Sequence, residues 1–289
     1  MVVTILNIVI AGLLMGGIYA LIAMGLSLQY GVARVLNISH GEFIMLGAFI
    51  TWVLFTSIGL NPFISLVVSG PILFGIGFLV YRTLFTSLRN KAPNQGAFEG
   101  SSMLATFGLL FIIQNIALAI WGGDMRAYSF LNFGIKFAGT VFAANRLAAL
   151  VLAIVVGLGF YIFLARTRIG KAIRAAAQDP PVAALMGVNI NLVLALCFGL
   201  GAFMAGFAGL LVSMCYPIYG TMGLEYTIIA LIVVVLGGLG SIPGSFIGGF
   251  VLGLVGAIVS SFQPALAMAA YYVLFMVLLI VKPTGIMGK

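Results

Sequence analysis

The segment Gly31–Glu42 holds the residues best suited to chemistry in this chain. It interrupts two apolar runs with the only histidine, His40, and with Asn37 and Glu42, one of five acidic residues. Polar groups near membrane depth are costly and therefore often functional. A structural reading competes: Ser39-His-Gly-Glu42 fits the capping box S-x-x-E, in which each side chain bonds the other residue's amide. Asn37, His40 and Glu42 are therefore candidates for a solute path or for helix capping.

A second interruption, Leu236–Ser245, reads LGGLGSIPGS. Four glycines and one proline in ten residues break a helix. The freed backbone groups of a broken helix can line a solute path at membrane depth. This makes candidates of four residues, Gly237, Gly238, Gly240 and Ser241. The alternative is a tight turn between two membrane spans.

The sequence lacks the combinations of catalytic residues that are typical of common enzymes. The sequence has no Ser/His/Asp set, no paired carboxylates and no HExxH motif. Lys171 follows Gly170 as in a P-loop, but Ala165 and Ala172 replace the first glycine and the Ser or Thr of that motif. Glu225 precedes an apolar run and is typical of a first-turn acid favoured by the helix dipole. We therefore expect no enzymatic activity, no cofactor and no ATP site.

The longest polar interval, Ala165–Asn189, predicts a short amphipathic helix at a membrane surface. On a helix, Arg168, Lys171 and Arg174 fan over about a third of the circumference. The opposite, apolar side is formed by Ile169, Ala172, Ile173 and Ala176.

A second short helix follows, over Val182–Met186. Pro180 and Pro181 end the first helix, and Asp179 is placed as an N-cap with Pro180 at N1. Gly187 closes the second helix. Two small helices joined at a kink offer a compact surface to another protein.

Composition excludes a soluble globular protein. The chain is 63% hydrophobic and 6% charged, whereas soluble domains have about a quarter of their residues charged. The net charge is +8, and the basic residues lie in short loops between apolar runs. The positive-inside rule explains this distribution better than nucleic-acid binding does. Cys197 and Cys215 lie in or beside apolar segments without a histidine nearby, so neither a disulfide framework nor a metal site is indicated.

These elements are positioned by membrane-spanning helices, so the predicted fold is an all-α, polytopic bundle in one domain, residues 1–289. A span needs about 20 apolar residues. We place spans near 5–30, 41–58, 62–82, 101–121, 145–165, 190–214, 226–240, 245–262 and 266–281. The second and seventh are less regular, which gives a total of eight or nine. The first resembles an uncleaved span more than a signal peptide.

The distribution of Lys and Arg predicts the orientation. If the loop with Arg166–Arg174 is cytoplasmic, the same side carries ten basic residues and the other side three, Arg126, Lys136 and Arg146. The ten are Arg34, Arg82, Arg89, Lys91, Arg166, Arg168, Lys171, Arg174, Lys282 and Lys289. The N-terminus is then outside and the C-terminus inside.

Glycines recur at helical spacing inside the predicted spans. Gly12 and Gly16, Gly244 and Gly248, and Gly249 and Gly253 each form GxxxG. Such faces allow close helix contact in lipid. We expect packing within this chain, with a partner subunit of similar build as the alternative.

Three motifs resemble one known family. They are LSLQYGVARVLNISHGEFIMLGA from Leu26, TRIGKAIRAAAQD from Thr167 with LMGVN from Leu185, and VLGGLGSIPGS from Val235. In this order, over nearly the whole chain, they resemble the LivH-like permeases of bacterial branched-chain amino acid ABC transporters.

The resemblance implies an inner-membrane permease subunit without enzymatic activity of its own. Its implied partners are a second related permease, two ATPase subunits and a periplasmic binding protein. The coupling loop would fall on Arg168–Asn189, with Arg168, Gly170, Lys171, Arg174, Asp179 and Gly187 as coupling residues. Ala183–Gly187 lacks the glutamate of the EAA motif of other importers and is one residue shorter.

Other functions remain open from the sequence. Members of the same family carry urea, short amides or other amino acids, although a passage of Leu, Ile, Phe and Gly favours aliphatic substrates. A self-contained channel would need a polar filter. An ion-coupled carrier would usually hold acids within its spans, whereas Glu42 and Glu225 lie near span ends.

Overall fold

The computed structural model describes residues 2–137 and 140–288, and these residues are mainly helical. The helices are α1 (Val2–Ala33), α2 (His40–Ile58), α3 (Pro62–Val80), α4 (Thr86–Lys91), α5 (Gln95–Trp121), α6 (Ala144–Arg166), α7 (Arg168–Gln178), α8 (Pro180–Leu185), α9 (Ile190–Cys215), α10 (Gly223–Gly237), α11 (Ile242–Phe262) and α12 (Ala267–Val281). A π-helical turn, Tyr81–Phe85, joins α3 to α4, and a 3₁₀ turn, Pro264–Leu266, precedes α12.

The predicted all-α bundle is confirmed. Within the described residues, eight helical segments are long and apolar enough to span a membrane, and α10 is a shorter apolar helix of 15 residues. A small antiparallel hairpin, β1 (Gly134–Phe137) and β2 (Thr140–Ala143), was not predicted. It marks one end of the bundle, called here the hairpin end. The other end carries α7 and α8 and is called the α7–α8 end.

The centre of the bundle is formed by α1 and α9. Side chains of α1 from Ala20 to Leu28 are buried, as is most of α9. By contrast, α3, α5 and α12 expose large apolar side chains such as Leu104 (73%) and Ile280 (76%). A helix with one buried and one apolar exposed face suits a position between protein and lipid.

Glycines let α1 and α11 approach closely. A Cβ atom at Gly12 would lie 2.8 Å from the Leu254 Cα, and one at Gly16 would lie 2.7 Å from the Phe250 Cα. One at Gly253 would overlap the Gly16 backbone. The prediction that these GxxxG motifs pack within the chain is therefore confirmed, because both faces of the contact come from this chain.

Candidate functional site

The buried turn between α1 and α2, residues 34–39, folds back into the bundle. Arg34 leaves α1 with φ +56°, and His40, the first residue of α2, contacts the Ile22 carbonyl through Nε2 at 3.0 Å. Ile22 lies eleven residues before the end of α1, or about 17 Å along its axis. Thus α2 begins deep inside the bundle, not at its end.

Two threonines from distant helices bond the backbone of this turn. The Ile38 amide donates to Thr106 Oγ1 of α5 at 3.2 Å. Thr227 Oγ1 of α10 donates to the Ile38 carbonyl at 3.0 Å and accepts from the Gly41 amide at 2.8 Å. Buried backbone groups need such partners. Sequence analysis missed both threonines, since a threonine in an apolar run carries no local signal of a distant partner.

A chain of polar side chains completes the turn. Asn37 Nδ2 donates to Gln29 Oε1 at 3.1 Å, and Gln29 Nε2 donates to the Phe198 carbonyl at 3.1 Å. Ser39 Oγ donates to Asn37 Oδ1 at 2.7 Å. The predicted capping box is therefore wrong. Ser39 makes no side-chain cap bond to α2, because Asn37 takes its hydroxyl, and the Glu42 carboxylate does not bond the Ser39 amide.

Glu42 lies where the first turns of α2 and α10 meet. It is fully buried, and neither carboxylate oxygen has a hydrogen-bond partner among the described residues. A Cβ atom at Gly223, the first residue of α10, would overlap this carboxylate, and one at Gly41 would overlap the Gly223 carbonyl. The two helix N-termini favour a negative charge at this point.

The glycine-rich segment between α10 and α11 lies at the α7–α8 end. Gly238 and Gly240 have φ values of +103° and +80°, and Ser241 caps α11 by accepting from the Gly244 amide at 3.2 Å. The Leu236 and Gly237 carbonyls accept from the amides of Ile286 and Met287 at 2.8 and 3.0 Å. The backbone freed by the break in the helix is thus bonded by the C-terminal segment.

The candidate path residues form two groups in the structure. Glu42 lies beside the first turn of α10, whereas Asn37 bonds Gln29 and His40 contacts the Ile22 carbonyl, both on α1. Gly237, Gly238, Gly240 and Ser241 lie at the other end of α10, where Gly240 touches Gly31 of α1.

The predicted pair of short helices is present as α7 and α8. Thr167 caps α7 by accepting from the Gly170 amide at 3.0 Å. Asp179 caps α8 by accepting from the Val182 amide at 3.1 Å, with Pro180 at N1 as predicted. Gly187 follows with φ +84°, a conformation that glycine adopts without the cost of a Cβ atom.

Two of the predicted coupling residues fix α7 to the end of α6. The Arg174 guanidinium donates to the Leu164 carbonyl, and a Cβ atom at Gly170 would overlap the same carbonyl. Arg174 is exposed, as the helical pattern predicted, and its guanidinium is also bonded to α6. Arg168 and Lys171 are exposed. Ile169 is 47% exposed, whereas Ile173 is buried.

Apolar side chains cover the outer face of α8. Val182 is 54% exposed, Leu185 86% and Met186 81%. We call Val182, Leu185 and Met186 the α8 apolar surface. Exposed apolar groups side by side at the end of a short helix mark a contact with another protein or with membrane.

A cavity of about 220 Å³ opens beside α1, α9 and α10 toward the hairpin end. Its lining includes Tyr19, Tyr216, Tyr219, Glu225 and Tyr226. Tyr219 donates its hydroxyl to Glu225 Oε2 at 2.9 Å. Burial, followed by this bond and the Glu225 charge, raises the pKa of Tyr219 to about 12, so it stays a neutral donor. Glu225 lies in the first turn of α10, as predicted.

The described residues contain no group of three or more His, Cys, Asp or Glu that could hold a metal ion. Cys197 is buried and Cys215 is half-buried, and neither forms a disulfide. Long apolar helices around buried polar turns define the chain as a multi-pass membrane protein.

Comparison with known proteins gives the family. The model of the family "Branched-chain amino acid transport system / permease component" matches residues 8–282. The high-affinity branched-chain amino acid transport system permease protein BraD of Pseudomonas aeruginosa is 30% identical over 288 residues, which cover 96% of this chain and 94% of BraD. LivH of Escherichia coli K12 is 29% identical, with the same coverage of 96% and 94%. A probable LivH of Methanocaldococcus jannaschii is 25% identical, covering 93% and 88%.

No solved structure matches this chain. The chain belongs to the family of permease components of branched-chain amino acid transport systems.

Proposed function

We propose that this chain is a membrane-spanning permease subunit of an ABC importer for the branched-chain amino acids Leu, Ile and Val. The observation that carries the proposal is the similarity to BraD and LivH, which are named as branched-chain amino acid permeases, over 96% of the chain. The apolar interior agrees with this substrate class. Energy and substrate capture then come from partners: two ATPase subunits, a second permease and a periplasmic binding protein.

The proposed orientation puts the α7–α8 end in the cytoplasm and the hairpin end outside the bacterial inner membrane. Ten basic residues lie on the proposed cytoplasmic side and three on the other, which follows the positive-inside rule. Lys289, one of the ten, lies outside the described residues. The α7–α8 end then faces the ATPase subunits.

The ATPase contact in this proposal is the α8 apolar surface with the exposed cations of α7. Arg168 and Lys171 face solvent and can meet acidic groups of a partner. Gly170 and Arg174 hold α7 on α6, so movement of α7 is transmitted to a membrane span. Asp179 and Gly187 set the two ends of α8, since one caps its start and the other turns the chain after it.

The proposed translocation path passes the start of α2, with Asn37, His40 and Glu42, and the first turn of α10, which Glu42 faces. It ends near the turn that contains Gly237, Gly238, Gly240 and Ser241. Supporting this role, Glu42 is a buried carboxylate without a hydrogen-bond partner among the described residues, although such groups are costly to bury.

Glu42→Gln tests this path. We expect the melting temperature of the purified transporter to stay unchanged or rise, because the amide has the same shape and no charge to desolvate. We expect uptake of labelled leucine to fall at least about tenfold, a loss of about 1.4 kcal/mol in transition-state stabilisation. Glu99→Gln is the control, since among the described residues Glu99 accepts a hydrogen bond only from Gln95, in the first turn of α5. Normal uptake by Glu42→Gln would remove Glu42 from the path.

The proposed function itself is tested with the complete transporter in proteoliposomes. We expect ATP-dependent uptake of labelled leucine only when ATPases, both permeases and binding protein are present. The purified chain alone should not hydrolyse ATP, because its sequence lacks a P-loop. Labelled urea, supplied in parallel, should not accumulate. Urea uptake in place of leucine uptake would contradict the substrate, and ATP turnover by the isolated chain would contradict the subunit role.

A further inference from the structure

The cavity near the hairpin end has an apolar floor. Ile18 of α1, Val212 of α9, and Met222 and Ile229 beside and within α10 line it, and each is at most 4% exposed. Its volume of about 220 Å³ is below the ~300–1,000 Å³ typical of sites for drug-sized ligands. A floor of this size and composition fits one small aliphatic group.

The rim of the cavity is acidic and aromatic. Glu225 and Pro217 are exposed and mark its open side. Tyr219 bonds only one carboxylate oxygen of Glu225, Oε2, and so orients the carboxylate without neutralising it. Tyr226, the residue after Glu225 in α10, also lines the cavity. A carboxylate with nearby aromatic rings is the environment that an ammonium ion prefers.

One of the lining tyrosines contacts a cation that does not itself line the cavity. The guanidinium carbon of Arg146 is 5.6 Å from the ring centre of Tyr216, which lines the cavity. An apolar floor beside a carboxylate matches the aliphatic side chain and the ammonium group of an amino acid.

We propose that this cavity is a substrate site on the permease itself, which holds the amino acid with its ammonium on Glu225 and its side chain on the floor. This inference rests on the proposed function and adds the place where substrate enters the membrane subunit. Tyr219 is a positioning residue for the Glu225 carboxylate.

Thiol protection tests the site directly. Met15 lines the cavity and is half-buried, so Met15→Cys, in a background with Cys197→Ala and Cys215→Ala, reports occupancy. In the complete transporter without ATP, we expect L-leucine to slow labelling of this cysteine by a soluble maleimide. Glu225→Gln should raise the half-protecting leucine concentration at least tenfold. The control, Asp124→Asn, removes an acid that is 85% exposed at the same end and should have no effect.

Two leucine analogues, each of which lacks one of the two charged groups of leucine, show which of these groups the site requires. 3-Methylbutylamine keeps the ammonium and should still protect, whereas 4-methylpentanoate lacks it and should not. Leucine uptake by Glu225→Gln should also fall at least tenfold in maximal rate, with KM unchanged because the binding protein sets it.

Absence of protection by leucine, equal protection in Glu225→Gln, or undiminished uptake by that variant would each overturn this proposal. The proposed function is judged separately by wild-type leucine uptake. If the wild type takes up leucine but leucine does not protect the cysteine, only the cavity assignment fails.

Discussion

Leu185→Asp combined with Met186→Asp should abolish ATP-driven leucine uptake while the chain stays folded in the membrane. The two side chains are 86% and 81% exposed, so their removal costs this chain little packing. On a docked ATPase they would be buried, which contributes about 1.5–3 kcal/mol each. Losing 3–6 kcal/mol weakens association at least about 100-fold, since 1.4 kcal/mol is tenfold.

The measurement is co-purification of the ATPase with the tagged permease, together with uptake. Leu239→Asp is the control: Leu239 is 47% exposed at the same end but lies on the turn between α10 and α11, and we expect normal assembly. If the double variant keeps its ATPase at wild-type level, the α8 apolar surface contacts lipid instead.

Gly41→Ala should prevent accumulation of the folded chain. The added methyl group would overlap the Gly223 carbonyl, where the first turns of α2 and α10 cross. It would also crowd Thr227, which accepts from the Gly41 amide. Overpacking in a core costs about 1–3 kcal/mol even where side chains can shift. Here the obstacle is backbone on the neighbouring helix, so we expect a larger cost.

Gly108→Ala is the matched control, within α5. A Cβ atom there meets nothing within 4 Å, and alanine is favoured over glycine inside a helix by about 0.5–1 kcal/mol. Fluorescence-detected size exclusion of both variants, with a fluorescent fusion, measures the folded fraction. We expect a folded peak for Gly108→Ala and its loss for Gly41→Ala. Equal peaks would show that α2 and α10 do not cross at Gly41.

Features that depend on neighbours along the chain can be predicted from the residues alone. The helical spans follow from runs of apolar residues, and both ends of α8 follow from Asp179, Pro180 and Gly187. An N-cap bond joins residues three positions apart, and a positive φ is a property of one residue. The same motifs also identified the family, which the comparisons confirm.

Tertiary structure decided which polar groups find partners. Ser39 and Glu42 have the spacing of a capping box, yet Ser39 bonds Asn37 and the carboxylate faces Gly223. Helical periodicity placed Arg174 on an exposed face, but only the fold shows that the end of α6 provides an acceptor for it. Local spacing shows which bonds are possible, but a competing acceptor can displace them, whether it is two residues away, as Asn37 is, or on another element.

Only the fold brings together residues far apart in sequence. Thr106 and Thr227 bond the turn before α2 across 68 and 189 positions. The cavity combines side chains of α1, α9 and α10. Tyr219 and Glu225 at its rim are only six residues apart, but the turn between them decides that they meet. Contacts of this kind depend on which helix faces pack together. The pattern of apolar residues does not predict this, because most faces of these helices are apolar.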